Sequence, residues 1–335
     1  MVYTFAFNNR RWSNTVADSQ YPDIFDDLQE QVLKAGLLER VPRRGIIEMV
    51  AIIASLIVVF ATLKLWNPIL LGLFLTLIFT RSVFVSHDIL HLQYFGSRKI
   101  SMWLSYPFST IILCNSPSWW IWKHNINHHK WCNVPEKDED IRALDGAFIP
   151  NNKGKKPFVK RHRRLIFWGA LFFMYPAFIA RSFSYVIRWK KYTELALMLL
   201  HWVVIWGSIF YFLPLSAAIT TFVTLYLVLS LWLSLGFITN HLGCEVFDLE
   251  ESEKLSWMEL QMRTSRSLIG GKFIHWFYGG LNTQIEHHLF PHAPRFNLLK
   301  VQEMTRAFAK KHKIKYFEST PIEAYMQINQ VLKAY

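Results

Sequence analysis

Residues 67–91 read NPILLGLFLTLIFTRSVFVSHDILH, a helix-length apolar run that ends in two histidines four residues apart. A helix needs about 20 apolar residues to cross a hydrocarbon core. This run is long enough to do so and to leave His87 and His91 at its far end. Working outward, three more stretches qualify, at about 46–64, 195–213 and 216–238. The four pair into two hairpins with short turns at 64–68 and 214–216, each containing a proline, which suits a chain that has just left a helix. Two further apolar stretches, 101–122 and 165–186, are broken by Pro107 and Pro117 and by Pro176 and Arg181. They are expected to be interfacial or re-entrant rather than spanning.

The 335 residues are 52% hydrophobic and only 18% charged, with a net charge of +13. A soluble domain carries about 25% charged residues. In such a domain a strongly basic balance would point to nucleic acid, but the distribution of charge points to a bilayer. Segments 1–45, 87–194 and 239–335 hold 35 of the 37 Lys and Arg residues, whereas the hairpin turns hold only Lys64. Positive charge marks the cytoplasmic side, so both termini and every long connection are expected there. The run KGKKPFVKRHRR (153–164) then reads as a juxtamembrane segment beside anionic lipid, with no nucleic-acid partner. Cys114, Cys132 and Cys244 form no CxxC pair, which excludes a disulfide scaffold or a thiolate zinc site. The first residues, MVYTFAFNNRRW, lack the apolar core of a signal peptide.

Residues 22–39 and 297–312 read as amphipathic cytoplasmic helices, the first opening on aspartates and the second on an Asn297 cap. The expected organisation is an N-terminal segment 1–45, a membrane domain 46–300 and a helical tail 301–335. The expected fold is an all-α integral membrane protein, with four transmembrane helices in two hairpins under a cytoplasmic helical cap.

Thirteen histidines are present, and eight are concentrated in a few places: HDILH (87–91), HNINHH (124–129), His241 directly after the last span, and QIEHH (284–288). Residues three or four apart share a helix face. His87 with His91, His124 with His128, and Gln284 with His287 can therefore each point inward as a pair. His129 and His288 are rotated by about 100° from their neighbours, which suits bridging to a second ion. With four spans, all eight rings meet at one interface; a span at 165–186 would strand His241 and QIEHH on the opposite side. Imidazole suits iron, zinc and copper, and makes calcium or magnesium a poor candidate.

Eight rings are too many for one ion and about right for two. Neutral ligands call for nearby acids to orient the rings and offset the metal charge, and Asp88, Glu286, Asp138 and Asp140 are placed to do so. No GxSxG, Cys–His–Asn or GxGxxG pattern is present. What remains is redox chemistry at a metal pair, activating O₂ against an apolar substrate.

HDILH, HNINHH and QIEHHLFP resemble the three histidine boxes of membrane fatty acid desaturases and their hydroxylase relatives. GGLNTQIEHHLFPHAPRFNL is similar to the acyl-lipid and front-end branch, in which Gln replaces the first histidine of the third box. The resemblance implies a non-haem diiron enzyme that takes O₂, two electrons and a fatty acyl chain and releases water and an alkene. Carried over by position, His87, His91, His124, His128, His129, His241, His287 and His288 are the iron ligands, and Gln284 stands where related enzymes have a ninth histidine. The second box is HxxxHH where front-end enzymes usually have HxxHH. No HPGG motif of a fused cytochrome b5 domain occurs, so electrons are expected from a separate ferredoxin, or from cytochrome b5 with its reductase. The substrate would lie in a tunnel between the helices, with Trp120, His201 and Trp202 among its linings, and Arg81 could pair with an acid or a head group. The same site could instead yield a hydroxylase, an acetylenase or a decarboxylase forming a terminal alkene. A metal transporter or sensor is the reading from another class.

Overall fold

The computed structural model describes residues 24–142 and 157–334, so the first 23 residues and positions 153–156 of the basic run lie outside the described residues. Among the described residues, five helices are long and apolar enough to cross a membrane: α2 (Pro42–Ala61), α3 (Pro68–Leu90), α4 (Arg161–Arg188), α5 (Tyr192–Phe212) and α6 (Leu215–His241). They are preceded by the amphipathic α1 (Phe25–Lys34), with Asp26 and Asp27 in its first turn and Lys34 in its last. Four of the five correspond to the stretches read from the sequence. The fifth, α4, is continuous where a broken segment was expected. Pro176 removes one backbone donor, and the chain accommodates it by tightening into a 3₁₀ turn at Leu171–Phe173 just before it. Residues 101–122 form no such rod. They comprise the short helix Arg98–Ser105, a wide turn at Tyr106–Ile112 containing Pro107, and a new start at Pro117.

Helices α3 and α6 pack along each other at the centre, with α2 against α3 and α4 against α6. Leu71, Leu75, Phe79, Leu225 and Leu229 are buried between them. The outward faces are apolar as well: Ile47, Val50 and Ile57 of α2 and Leu215 and Ile219 of α6 are exposed. A water-soluble surface does not carry apolar patches of this extent, whereas a lipid-facing one does. Arg81, inside α3, forms no ion pair within 4 Å among the described residues. It donates to the Trp276 carbonyl at 3.0 Å and stacks on that indole at 4.0 Å, so its charge is spread over an aromatic face.

Beyond the end of α3 and α6 lies a cap. Its core joins Leu28 and Val32 of α1 to Ile285 and Leu289 of α7 (Gln284–Leu289) and to Val301 and Phe308 of α8 (Leu298–His312). Asn297 does not cap α8. A 3₁₀ turn, Arg295–Asn297, leads into the helix, and the Asn297 amide instead donates to the Leu37 carbonyl at 3.0 Å, tying α8 to the N-terminal segment. Gly279 holds a positive φ of 60°, and a side chain there would collide with Phe84 of α3. Glycine thus lets the loop before α7 press against the bundle, which brings the third histidine box over the other two.

Candidate metal centre

The first pair of histidines sits at the end of α3, with His87 in its last turn and His91 at its C-cap. The second box lies on a helix wound wider than an α-helix, over Ile121–His128. There the His129 N–H reaches back five residues to the His124 carbonyl at 3.0 Å. The five-residue spacing puts His124 beside His129, with their Nε2 atoms 3.2 Å apart. His128 stays near as well: its ring stacks on that of His124 at 5.2 Å between centroids, and His124, His128 and Asp140 offer ligand atoms within 4.8 Å of one another, as the four-residue spacing implied. Such wide turns recur at functional sites.

The rings fall into two adjoining groups. His87, His91, His124 and His287 offer ligand atoms within 4.8 Å of one another, and so do His128, His241, His288 and Cys132. The adjacent residues His287 and His288 serve different groups. His129 stands between them, its ring centroid 4.8 Å from that of His91, 4.7 Å from His287 and 4.4 Å from His288. Gln284 places its amide nitrogen 2.9 Å from His241 Nε2, while its oxygen accepts from Asn240 at 3.2 Å.

These nitrogens fit a metal. His87 Nε2, His91 Nε2, His129 Nδ1, His288 Nε2 and both nitrogens of His287 are buried without a hydrogen-bond partner. Each unmet buried group costs about 1–3 kcal/mol, and ligation would satisfy one nitrogen of each of these rings. Only neutral imidazole ligates. Burial pushes His91, His124, His129, His287 and His288 well below the ordinary imidazole value, and their mutual repulsion as cations pushes further. His128 goes the other way: burial opposes its charge, but the Asp138 carboxylate at 3.0 Å outweighs that and raises it.

Behind the rings stand the groups that orient them. Asp138 accepts from His128 Nδ1 and from the backbone N–H of Asn133 and Asp140, each at 3.0 Å. Asp140 lies 3.7 Å from His128 and forms an ion pair with Lys123. Asp88 is 3.5 Å from His87 but is held chiefly by Tyr94 at 2.7 Å and Arg295 at 2.5 Å. Glu286 orients no histidine. It accepts from Ser267 and Tyr316, each at 2.7 Å, and burial raises its carboxyl to about 7.

Sequence reasoning missed three contributors. Gln261 accepts from His288 at 2.7 Å, the Thr264 carbonyl takes His241 Nδ1 at 3.1 Å, and Cys132 Sγ lies 3.2 Å from the same nitrogen. No motif marks them, because each meets its histidine only through tertiary folding.

A cavity of about 370 Å³ opens beside the rings, with Trp120, Lys123, His124, His128, His241 and Gln284 on its polar side and Phe173, Met174, Phe178 and Phe237 among its apolar walls. A second pocket of about 30 Å³ reaches Ser86, His87, Asn115 and Tyr175. Trp120, Phe178 and Phe237 line both. His201 lines neither. Its Nδ1 meets the Ile111 carbonyl at 2.9 Å and its Nε2 accepts from Trp206 at 3.1 Å, which makes it a satisfied core residue. Trp202 is also off the cavity, on the outer side of α5 against Phe222. His275 is satisfied by Asn282 and the Arg295 carbonyl, and His162 and His312 stack on Phe158 and Phe308.

Fold and site together define a class of protein: an apolar helical bundle of membrane type, closed at one end by a histidine-rich metal centre beside a greasy cavity. A family profile described as fatty acid desaturase matches residues 64–320. The chain belongs to the fatty acid desaturase family. It is similar to an acyl-lipid (9-3)-desaturase of Physcomitrium patens, 29% identical over 91% of this chain and 60% of that protein. It is 28% identical to a Delta(5) fatty acid desaturase of Caenorhabditis elegans, over 87% of this chain and 69% of the relative. A Delta(6)-fatty-acid desaturase of the same nematode is 25% identical over 92% and 74%. The chain thus spans roughly 60% of the length of the moss relative it matches.

Partners that orient a ligand typically contribute about 10–100-fold to metal affinity. Asp138→Asn and Gln261→Leu should each weaken metal retention by about that factor in competition with a chelator. Retention equal to the unaltered protein in both variants would contradict their orienting role.

Proposed function

We propose that the protein is an O₂-dependent fatty acyl desaturase holding two iron ions, one in each histidine group. The observation that carries this reading is the pairing of two adjoining imidazole groups, their nitrogens buried and unpartnered, with a large apolar cavity against the same rings. In the overall reaction a –CH₂–CH₂– unit loses two hydrogens to become –CH=CH–. O₂, two electrons from a ferredoxin or cytochrome b5 system and two protons from solvent account for the two waters released. Bound iron supplies the O₂ activation that side chains cannot perform.

The chain's own residues do the rest. The cavity walls bind the acyl chain by apolar contact and exclude water, while the neck of Trp120, Phe178 and Phe237 aligns it past His124 and His87. Asp138, Gln261 and the Thr264 carbonyl fix three rings, so that the centre keeps one geometry through turnover. The named activities of the relatives support this reading, as does Gln284 at the opening of the third box.

We assign four membrane crossings, by α2, α3, α5 and α6, with both termini and the centre cytoplasmic. His241 at the end of α6 meets His128, which follows α3, in one cluster. An even number of crossings between them agrees with that contact, which supports laying α4 along the interface despite its length.

With O₂, a reductant system and membrane acyl lipids, the expressed protein should form an alkene product detectable by mass spectrometry, and His128→Ala or His287→Ala should abolish it. Hydroxylated or decarboxylated products, or turnover without O₂ uptake, would overturn the assignment. For the topology, a cysteine introduced by Lys190→Cys in the 189–191 turn should react with an impermeant maleimide from the cytoplasmic side. Reaction from the opposite side alone would overturn this choice of crossing helices.

A further inference from the structure

Trp120, Phe178 and Phe237 line both the 370 Å³ cavity and the 30 Å³ pocket, a shared wall here called the neck, and of these only Trp120 carries a polar hydrogen. Its Nε1–H is buried and has no partner. The indole ring lies 4.8 Å from the His124 ring, tilted by 34°, so the donor stands at the edge of the metal centre. The Lys123 ammonium sits 5.1 Å from the indole centroid and is anchored by Asp140. A cation held over the ring face draws electron density from it and makes the N–H a stronger donor. A strengthened donor kept unpaired in an apolar constriction is destabilising on its own, because nothing replaces the hydrogen bond it made to water. It becomes favourable when a ligand brings an acceptor to that point.

Resting on the desaturase reading above, the ligand is an acyl chain, and the acceptor such a chain carries is the carbonyl oxygen of its ester or thioester. We infer that the Trp120 indole N–H binds the substrate's acyl carbonyl at the neck and so sets which carbons lie at the metal centre, counted from the carboxyl end. Along Phe173, Met174, Phe178 and Phe237 the chain's contacts are apolar and can slide. A single directional hydrogen bond gives the register that they lack. Because the donor adjoins His124, the reacting carbons lie a few bonds from the carbonyl rather than near the methyl end.

The test compares two lipids of equal chain length presented to the iron-loaded enzyme with O₂ and its reductant: an ester lipid and the matching alkyl ether, which keeps the chain but lacks the carbonyl. The unaltered enzyme should desaturate the ester roughly three- to tenfold faster at limiting substrate, and at one position. Trp120→Phe keeps the ring but removes the donor. It should bring the ester-to-ether ratio near one by raising KM for the ester with kcat little changed, and should spread the double bond over neighbouring positions. Equal use of ester and ether by the unaltered enzyme overturns the anchor even if the variant does not fold. Full retention of the preference and position in Trp120→Phe overturns it too, as does a preference that follows a double bond already in the chain rather than the carbonyl. Failure of the unaltered enzyme to desaturate either lipid overturns the desaturase reading itself and the anchor with it.

Discussion

Eight imidazole rings from four separate stretches of chain crowd into one end of the helical bundle, and most of their inward nitrogens find no partner in the protein. Burial holds the rings of His91, His124, His129, His287 and His288 neutral. The cluster is therefore a set of lone pairs in a dry site. Much of the surrounding architecture serves to keep that set assembled. The wide turn at Ile121–His128 divides the second box between the two groups. The glycine loop at Gly279 lets the third box descend onto α3. Asp138, Gln261 and the Thr264 carbonyl hold the outer nitrogens.

The cap that delivers the third box is fastened to the bundle by charge. Arg295, buried just before α8, pairs with Asp88 of α3 at 2.5 Å and with Glu48 of α2, and the Tyr94 hydroxyl lies within donating distance of either acid, 2.7 Å from Asp88 and 2.9 Å from Glu48. The acids hold the Arg295 guanidinium in its charged form against the cost of burial. Breaking one partner of such a network leaves a buried charge unmet, which is far more costly than never having built it. Asp88 thus belongs less to His87 than to the joint between cap and membrane helices, and the metal centre inherits its rigidity from that joint.

Much of this was legible in the sequence because it rests on local periodicity. Apolar runs of helix length, cations confined to certain segments and histidines at short spacings are all read along the chain. The places where reading failed are those where tertiary geometry overrides the local period. His124 and His128 do meet, as their spacing implied, but the five-residue hydrogen bond there also sets His129 beside His124, which an α-helical period does not predict. Glu286 sits inside a histidine box, yet it turns toward Ser267 and Tyr316, which arrive from other segments. His201 is an ionisable residue in an apolar helix and looked like a tunnel wall; the Ile111 carbonyl and Trp206 make it a core residue. Gln261, 27 residues from His288 along the chain, carries no pattern that would single it out.

The proposed desaturase activity requires two metal positions built from imidazole, one for each group of rings. Quantitative metal analysis of the protein purified from iron-replete cells tests this most directly. Two irons per chain is the predicted result, and a single zinc per chain would contradict the account.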